Sequence, residues 1–503
     1  MLLKTMSLTV ILSALLLLAI TPVPAETQGE RQGYLKASNA EAFDSFGKLV
    51  LSGDGNTLVV GSEEASKATG INGDQSDNSA VAAGAAYVFV KNKDHQWQQQ
   101  AYLKASNTGE SDRFGDALAI SADGNVLAIG ATRERSNATG INGNQADDSA
   151  PESGAVYIFR RNNDQQWQQE AYIKASNTEA KDLFGQALAL SGDGQTLVVG
   201  AKGEDSDAIG ENGTQDNNNS KNTGAVYIYK LTKKGWRQTT YLKPPKSIKG
   251  IRFGASVSLN QNGKTVVIGA PYYKYDSNKK KLGTAYIYSF KNNHWHFVSE
   301  LVTKEQWFIG LGDSVSISAD GDTAAVGASG VGAARDDPPT NITTGAAFIF
   351  QRQEKKWVEQ AHVLSDSINS GDSFGNAVDL TADGNILLVG AAREGSSSAG
   401  INSIPNTKLL LSGAAYLFER DPKGQWKQTN YLKSLIRYYE GAFGRYVAID
   451  DNGNTIAISA EYDTGINTGV AADPHKTGAH TSGAAHTFSR NSDGAWVQGV
   501  PSD

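Results

Sequence analysis

Seven tryptophans mark a repeat that runs through almost the whole chain. Only Trp307 falls outside a series whose members lie 59 to 70 residues apart. The series consists of Trp97, Trp167, Trp236, Trp295, Trp357, Trp426 and Trp496. Repeats of this length are single supersecondary units that bury a core only against their neighbours. The 503 residues would suffice for two or three ordinary domains, but the repeat predicts one domain over residues 26–503, with its copies from about residue 34 onward.

The second copy shows what each unit contains. Alternation of small and large apolar residues after Phe114 indicates a half-buried strand, and Asp123-Gly124 is typical of a hairpin turn. A second strand pattern follows, then a polar loop over residues 132–153, then two more strand patterns, of which the last begins at Trp167. Each repeat therefore predicts four antiparallel strands.

Seven such units predict an all-β fold, a seven-bladed β-propeller of four-stranded antiparallel blades, because circular closure removes exposed sheet edges. An open β-solenoid is the alternative. Residues 34–39 copy the end of a fourth strand, and the chain finishes within a fourth-strand pattern at Trp496. Both ends are therefore expected to meet in the seventh blade.

Residues 1–25 have the pattern of a signal peptide. Lys4 precedes an apolar run over residues 8–20, and small residues end at Ala25, where cleavage is expected. The alternative is an uncleaved membrane helix, for which this run is short. We therefore expect a secreted, periplasmic or cell-surface protein with no membrane span after cleavage.

Composition excludes several classes of site. The chain has no cysteine, which rules out disulfides and thiolate metal sites. Its formal net charge is −7, and there is no long basic run, so nucleic acid is not an expected partner.

The segments between the second and third strands vary most. They have 12 and 16 residues in the fourth and fifth copies and 21 or 22 in the others. In a propeller these loops and the connectors between blades lie on one face, where repeat proteins commonly place their binding surface. We expect that face to bind an extracellular protein or glycan.

Three motifs together resemble a known repeat. Phe-Gly opens the first strand, Ile129-Gly130-Ala131 and its copies end the second, and Gly-Ala-Val-Tyr opens the third. This combination resembles the FG-GAP repeat, the unit of the seven-bladed propeller of integrin α subunits and of many exported bacterial proteins. The resemblance implies an extracytoplasmic binding propeller, often with calcium in the turns between strands one and two. Here those turns, such as residues 52–56, offer too few oxygens and are interpreted as plain hairpins.

Calcium is instead considered for three loops rich in Asn, Asp and Gly. Oxygen-rich loops suit this hard cation, whereas the alternative is that they are solvated turns bonded to their own backbone. No other cofactor is expected. The candidate metal ligands are Asp74, Asp77, Asp147, Asp148 and Asp216.

Two further sets are candidate ligand-binding residues. An aspartate two residues before Phe-Gly recurs in four copies and could form an acidic ring, or could cap a turn; aromatic residues outside the repeat could stack on a ligand. These residues are Asp44, Asp112, Asp182, Asp372, Tyr272, Tyr273, Tyr275, Trp307 and Phe308. The repeated tryptophans are interpreted as core, and the three histidines of the last copy as loop residues.

No motif for catalysis is present, and no catalytic residue is predicted. The leading hypothesis is an exported, non-catalytic binding or adhesion scaffold. The alternative is an extracellular hydrolase or lyase that acts on polysaccharide at the mouth of the central channel.

Overall fold

The computed structural model describes residues 32–271, 283–304, 310–330, 344–365, 367, 369, 371–406, 408–436 and 440–499. Within these residues every regular element is a strand. In chain order the strands are β1 (Tyr34–Leu35), β2 (Lys48–Leu51), β3 (Thr57–Ser62), β4 (Ala85–Lys91), β5 (Trp97–Leu103), β6 (Phe114–Ile120), β7 (Val126–Ala131), β8 (Ala155–Arg161), β9 (Trp167–Ile173), β10 (Ala187–Leu190), β11 (Thr196–Ala201), β12 (Ala225–Thr232), β13 (Gly235–Leu242), β14 (Ser256–Leu259), β15 (Thr265–Ala270), β16 (Thr284–Lys291), β17 (His294–Leu301), β18 (Leu311–Ile317), β19 (Thr323–Ala328), β20 (Ala346–Gln353), β21 (Lys356–Val363), β22 (Phe374–Leu380), β23 (Ile386–Ala391), β24 (Ala414–Arg420), β25 (Trp426–Leu432), β26 (Phe443–Ile449), β27 (Thr455–Ala460), β28 (Ala484–Arg490) and β29 (Trp496–Gln498).

The strands form seven antiparallel sheets that correspond to the seven repeats. Six sheets consist of four consecutive strands, from β2–β5 in blade one to β22–β25 in blade six. Blade seven contains β26, β27 and β28, and its fourth strand is shared between the two ends of the chain. The prediction of a seven-bladed, four-stranded β-propeller is confirmed, and the open solenoid is wrong because the first and last repeats share a sheet.

The shared strand is divided at a point where the other blades have a bulge. In blades one to six the register between strands three and four shifts once, for example between Val88 and Phe89. In blade seven, β29 pairs with β28 up to Phe488, and β1 resumes the pairing at His486. The intervening Thr487 bonds to both ends, since its N–H donates to Gly33 and its carbonyl accepts from Gly499, each over 2.8 Å. The ring is therefore closed by a fourth strand that is broken where the fourth strands of the other six blades have their bulge.

Glycine allows the second strand of one blade to touch the innermost strand of the next. A Cβ on Gly61, near the end of β3, would lie 2.1 Å from the carbonyl oxygen of Gly115 at the start of blade two. The same clash would arise at Gly130 and Gly200 against the next blade. The Phe-Gly and Gly-Ala motifs of the sequence therefore form one backbone-to-backbone contact, repeated around the ring.

The core lies between blades rather than within them. One cluster combines Val59 and Val88 of blade one with Phe114 and Leu127 of blade two, and all four are buried. Phe114 also packs edge-on against Tyr157, with ring centroids 5.3 Å apart. This arrangement explains why a single repeat has no core of its own.

The repeated tryptophans belong to this packing. Five of the seven are buried, and Trp357 and Trp426 are half-buried against the clusters of blades five and six. The indole N–H of Trp167 donates to Gln100 of the preceding blade over 2.9 Å. Their interpretation as core residues agrees with this burial.

Candidate functional site

One face of the disc, here called the turn face, carries the hairpin turns between strands one and two and between strands three and four. The former are joined to their neighbours by backbone hydrogen bonds of 2.9 to 3.1 Å. The bonds run from Asp54 N–H to Ala122, Ala122 N–H to Gly192, Gly192 N–H to Gln261, Ala319 N–H to Ala382, Ala382 N–H to Asp451 and Asp451 N–H to Gly53. Between blades four and five the side-chain amide of Asn260 donates to Ala319 instead, over 3.2 Å. The turns thus form one bonded ring around the channel.

The carboxylates of these turns are engaged locally. Asp54 accepts the N–H of Asn56 over 3.0 Å, while the Ser52 hydroxyl accepts the N–H of Thr57 over 2.9 Å. Asp123 accepts the N–H of Asn125 over 3.0 Å in the same way. These contacts fit the interpretation as plain hairpins.

The opposite face, here called the loop face, carries the connectors and the long loops between strands two and three. In five blades a lysine at the end of strand four reaches under the loop to a carboxylate at its start. The pairs are Lys104–Glu64, Lys174–Glu134, Lys243–Glu204, Lys433–Glu394 and, in blade seven, Lys36–Asp463. All ten side chains are at most 2 % exposed.

In three blades the lysine holds both ends of the loop. The ammonium of Lys174 lies 2.7 Å from Glu134 at the start of the loop and donates to Ser153 at its end over 2.8 Å. Lys433 joins Glu394 to Ser412, and Lys36 contacts Ser482 over 2.6 Å. Because these charges are buried, their partners are obligatory, and each loop is clamped where it leaves and rejoins the sheet.

The carboxylate is also bonded to neighbouring segments. Glu64 accepts the hydroxyl of Tyr102 over 2.9 Å and the amide of Asn39 over 3.2 Å. Asn39 belongs to the connector that enters blade one, and it accepts the hydroxyl of Tyr87 over 2.6 Å. Burial lowers the pKa of Lys104, and Glu64 opposes that shift. The network therefore fixes the loop, the outer strand and the connector together.

Each of these loops also folds over the outer edge of its blade. Ile71 forms a bridge with Leu103 in β5, and Asn72 exchanges two bonds with Tyr102, donating its own N–H over 2.8 Å and accepting through its side chain over 2.9 Å. Asn72 has φ of 53°, a conformation that asparagine tolerates. Equivalent contacts are made by Asn142, Asn212 and Asn402. The repeated asparagine thus protects a sheet edge.

Blades four and five have an apolar residue in place of the clamping lysine. Val302 and Leu364 occupy the lysine position, and their side chains are 57 % and 38 % exposed. The ion pairs could have been found in the sequence, because the lysine and its carboxylate are both present in five copies and both missing in two. Sequence reasoning overlooked the pairs.

The four aspartates before Phe-Gly lie in the connectors, where their side chains are buried. Each accepts a backbone N–H three residues earlier, as Asp112 does from Gly109 over 2.9 Å. Burial raises the pKa of Asp44 and Asp112 to about 7, and Glu134 adds to the shift of Asp112. Burial likewise raises the pKa of Asp182 to about 8 and that of Asp372 to about 6. This is the geometry of the turn-cap alternative, and a ligand-binding role for these residues stays a prediction.

The candidate calcium ligands are spread over the loops of blades one to three. Asp74 accepts the N–H of Ser76, Asp77 that of Ser79, and Asp147 that of Ser149, each over 2.8 to 2.9 Å. Across the described ranges no three His, Asp or Glu side chains gather as a metal site would require. Calcium at Asp74, Asp77, Asp147, Asp148 and Asp216 stays a prediction.

The remaining candidates divide by position. Tyr272, Tyr273, Tyr275, Trp307 and Phe308 lie outside the described residues. Among the histidines, His486 is buried in β28 at the position of the repeated tyrosine, so its assignment to a loop is wrong. Its ring lies 5.3 Å from that of Tyr34 in the shared strand, and burial lowers its pKa to about 4.

Comparison with known proteins identifies the repeat. A family model for the FG-GAP repeat matches residues 97–159 and 167–229, each from a fourth strand through the third strand of the next blade. No curated protein matches the chain. Among the described residues there is no helix with the length and apolar character needed to cross a membrane. An FG-GAP propeller is consistent with a protein-interaction scaffold.

Proposed function

We propose, on the premise that this chain is an FG-GAP repeat β-propeller, that it is an exported, non-catalytic scaffold. Its loop face would bind an extracellular protein or glycan. The observation that supports this proposal is the fixation of five loops by buried ion pairs.

Fixed loops favour binding for an energetic reason. A loop that must be ordered by its partner loses conformational entropy at the moment of binding, which weakens the complex. Here the lysine clamp and the edge bridge order the loop beforehand, as at Lys174 and Ile141 of blade two. Exposed side chains such as Thr139 and Asp148 are therefore presented in a set arrangement.

The two faces differ in how much sequence variation they tolerate. On the turn face the turns between strands one and two have one length and are bonded to one another, so that a change in one disturbs its neighbours. On the loop face the sequence between the clamped ends is free to differ from blade to blade. Binding surfaces of repeat proteins concentrate where such variation is tolerated.

The test probes the mature chain on arrays of glycans and bacterial and animal surface proteins. Thr69→Arg with Thr139→Arg places two charges on exposed, equivalent positions of two loops. The control is Asn163→Arg with Ser492→Arg, which adds the same charge to exposed turns of the turn face. The proposal predicts that a partner found on the array is lost by the first variant and retained by the second.

The opposite pattern would place the binding surface on the turn face. A parallel panel of polysaccharide substrates tests the catalytic alternative. Turnover that is abolished by Asp112→Asn or Asp182→Asn would contradict the proposal of a non-catalytic scaffold.

A further inference from the structure

Blade seven differs from the other clamped blades in the acid that faces its lysine. Asp463 takes the place that glutamate holds in blades one, two, three and six, so the acid side chain is one methylene shorter. Lys36 and Asp463 are 0 % and 1 % exposed, and Lys36 Nζ lies 3.3 Å from Asp463 Oδ1. Lys36 directly follows β1, whereas Asp463 begins the long loop of the last blade. The pair therefore connects the two ends of the chain within blade seven.

In the glutamate pair of blade two, both oxygens of the acid are occupied. Glu134 accepts the hydroxyl of Tyr172 through Oε1 over 2.8 Å and the ammonium of Lys174 through Oε2 over 2.7 Å. The side-chain amide of Asn107 adds a second bond to Oε1, over 3.0 Å. A buried carboxylate with this set of donors is well stabilised as an ion.

Among the described residues, the Asp463 carboxylate is bonded through one oxygen only. Oδ1 accepts the hydroxyl of Tyr34 and the N–H of Gly465, each over 2.7 Å, and it is also the atom that Lys36 contacts. Oδ2 is buried, and no group in the described part of the chain donates to it. A buried acceptor without a donor costs free energy, and burial lowers the pKa of Lys36, although Asp463 opposes that shift. Transfer of one proton from Lys36 to Asp463 removes both charges from this interior site.

We propose that Lys36 and Asp463 condense to an isopeptide bond, which closes the ring covalently. After the proton transfer, the neutral Nζ of Lys36 attacks Cγ of the Asp463 acid, and the Nζ–Cγ bond forms. The Cγ–Oδ2 bond then breaks, and Oδ2 leaves as water with its own proton and a second one from Nζ. The net reaction converts an ammonium and a carboxylate into an amide and one water, and it requires no co-reactant.

The groups around the pair supply what this condensation needs. Tyr34 and Gly465 direct two donors at Oδ1, where negative charge develops in the tetrahedral intermediate, at the distances of an oxyanion hole. Lys36 Nζ is held in place by the hydroxyl of Ser482 over 2.6 Å and by the carbonyl of Gly483 over 2.5 Å. Reacting groups held in contact have a high effective concentration. Burial also excludes the water that would reverse the reaction.

The bond joins two positions that are 427 residues apart in the sequence. It ties the N-terminal part of the shared strand to the loop of the same blade. In a chain without cysteine it takes the role of a disulfide, because a cross-link across a long loop restricts the unfolded chain. The inference does not depend on what the loop face binds, so its failure leaves the proposed function unaffected.

The intact mass of the mature protein, measured after denaturation, tests the inference. It should be lower by one water than the mass of the linear chain with the same N-terminus. Digestion with trypsin should release residues 32–48 joined to residues 446–476, because amide formation removes the cleavage site at Lys36. Fragmentation of this joined peptide should locate the bond between Lys36 and Asp463.

Lys36→Arg should abolish the loss of water, because a guanidinium keeps the charge but stays protonated and does not attack an acid. Lys104→Arg is the matched control, since it changes the equivalent lysine of blade one, which faces Glu64, and it should leave the cross-link intact. A wild-type mass equal to that of the linear chain overturns the inference, whether or not the variants fold. A loss of water that persists in Lys36→Arg, or that maps to another peptide, overturns it as well.

Discussion

Removal of the Lys104 ammonium is the perturbation that tests the loop clamp most sharply. Lys104 and Glu64 are 0 % and 1 % exposed, and their charged atoms lie 2.9 Å apart. Lys104→Met deletes the positive charge and leaves Glu64 buried with hydrogen bonds from Tyr102 and Asn39 alone. Breaking a buried pair in this way typically costs about 3–5 kcal/mol of unfolding free energy.

The double variant Lys104→Met, Glu64→Gln should recover most of that loss. The glutamine carbonyl oxygen still accepts from Tyr102 and Asn39, and no unpaired charge remains buried. Since apolar replacement of a buried ion pair is often neutral, we expect the double variant to lie within about 2 kcal/mol of the wild type. Blade four, with Val302 at the lysine position, is a natural precedent.

Urea unfolding followed by tryptophan fluorescence measures these free energies. Lys93→Met, at an exposed lysine of the turn face, is the control and should change the free energy by less than about 0.5 kcal/mol. The reasoning is refuted if Lys104→Met costs under about 1 kcal/mol, or if the double variant costs as much as the two single variants added together.

Three further predictions concern the ring closure, pH and calcium. Removal of residues 26–40 should lower the melting temperature because it deletes β1 from the shared strand of blade seven, whereas removal of residues 26–31 should not; equal melting temperatures would dismiss the closure. Burial raises the pKa of Asp182 to about 8, so the contribution of its protonation to the unfolding free energy is complete below the unfolded pKa of about 3.9 and is lost as the pH rises toward 8. The unfolding free energy of Asp182→Asn should therefore gain up to about 1.4 kcal/mol per pH unit over that of the wild type between pH 4 and 8. Parallel curves of stability against pH for the two proteins would contradict this. Calcium at a hundredfold excess over its Kd should raise the unfolding free energy by about 2.7 kcal/mol, and coincident melting curves with calcium and with chelator would eliminate the ion. The calcium effect should vanish when alanine replaces Asp74, Asp77, Asp147, Asp148 and Asp216.

The architecture was predictable because the same four-strand pattern occurs seven times in the sequence. Period-two alternation after Phe114 predicts a strand, and the Asp-Gly pair predicts a turn. The copy of a fourth strand at Tyr34 predicts that the two ends of the chain close the ring. The break at the strand bulge was not predictable, because it depends on a register shift that only the assembled sheet shows.

The position of the long loops was predictable from the sequence, whereas their contacts were less so. Loop length set blades four and five apart, and these two blades also have Val302 and Leu364 in place of the lysine. The polar loop sequences suggested solvated turns or cation ligands, whereas Asn72 bonds the outer strand and Glu64 is buried beneath the loop. Lysine is usually exposed, so residue type alone argues against a buried lysine such as Lys104. His486 likewise substitutes for a core tyrosine, which its residue type does not suggest.

Hydrogen–deuterium exchange of the loop spanning residues 66–80 tests the central claim most directly, because the account holds that these loops are fixed before any partner binds. The amide of Asn72, bonded to Tyr102 over 2.8 Å, should exchange slowly in the wild type and much faster in Lys104→Met. Complete exchange of this loop within seconds in the wild type, at the rate of an unstructured peptide, would contradict the account.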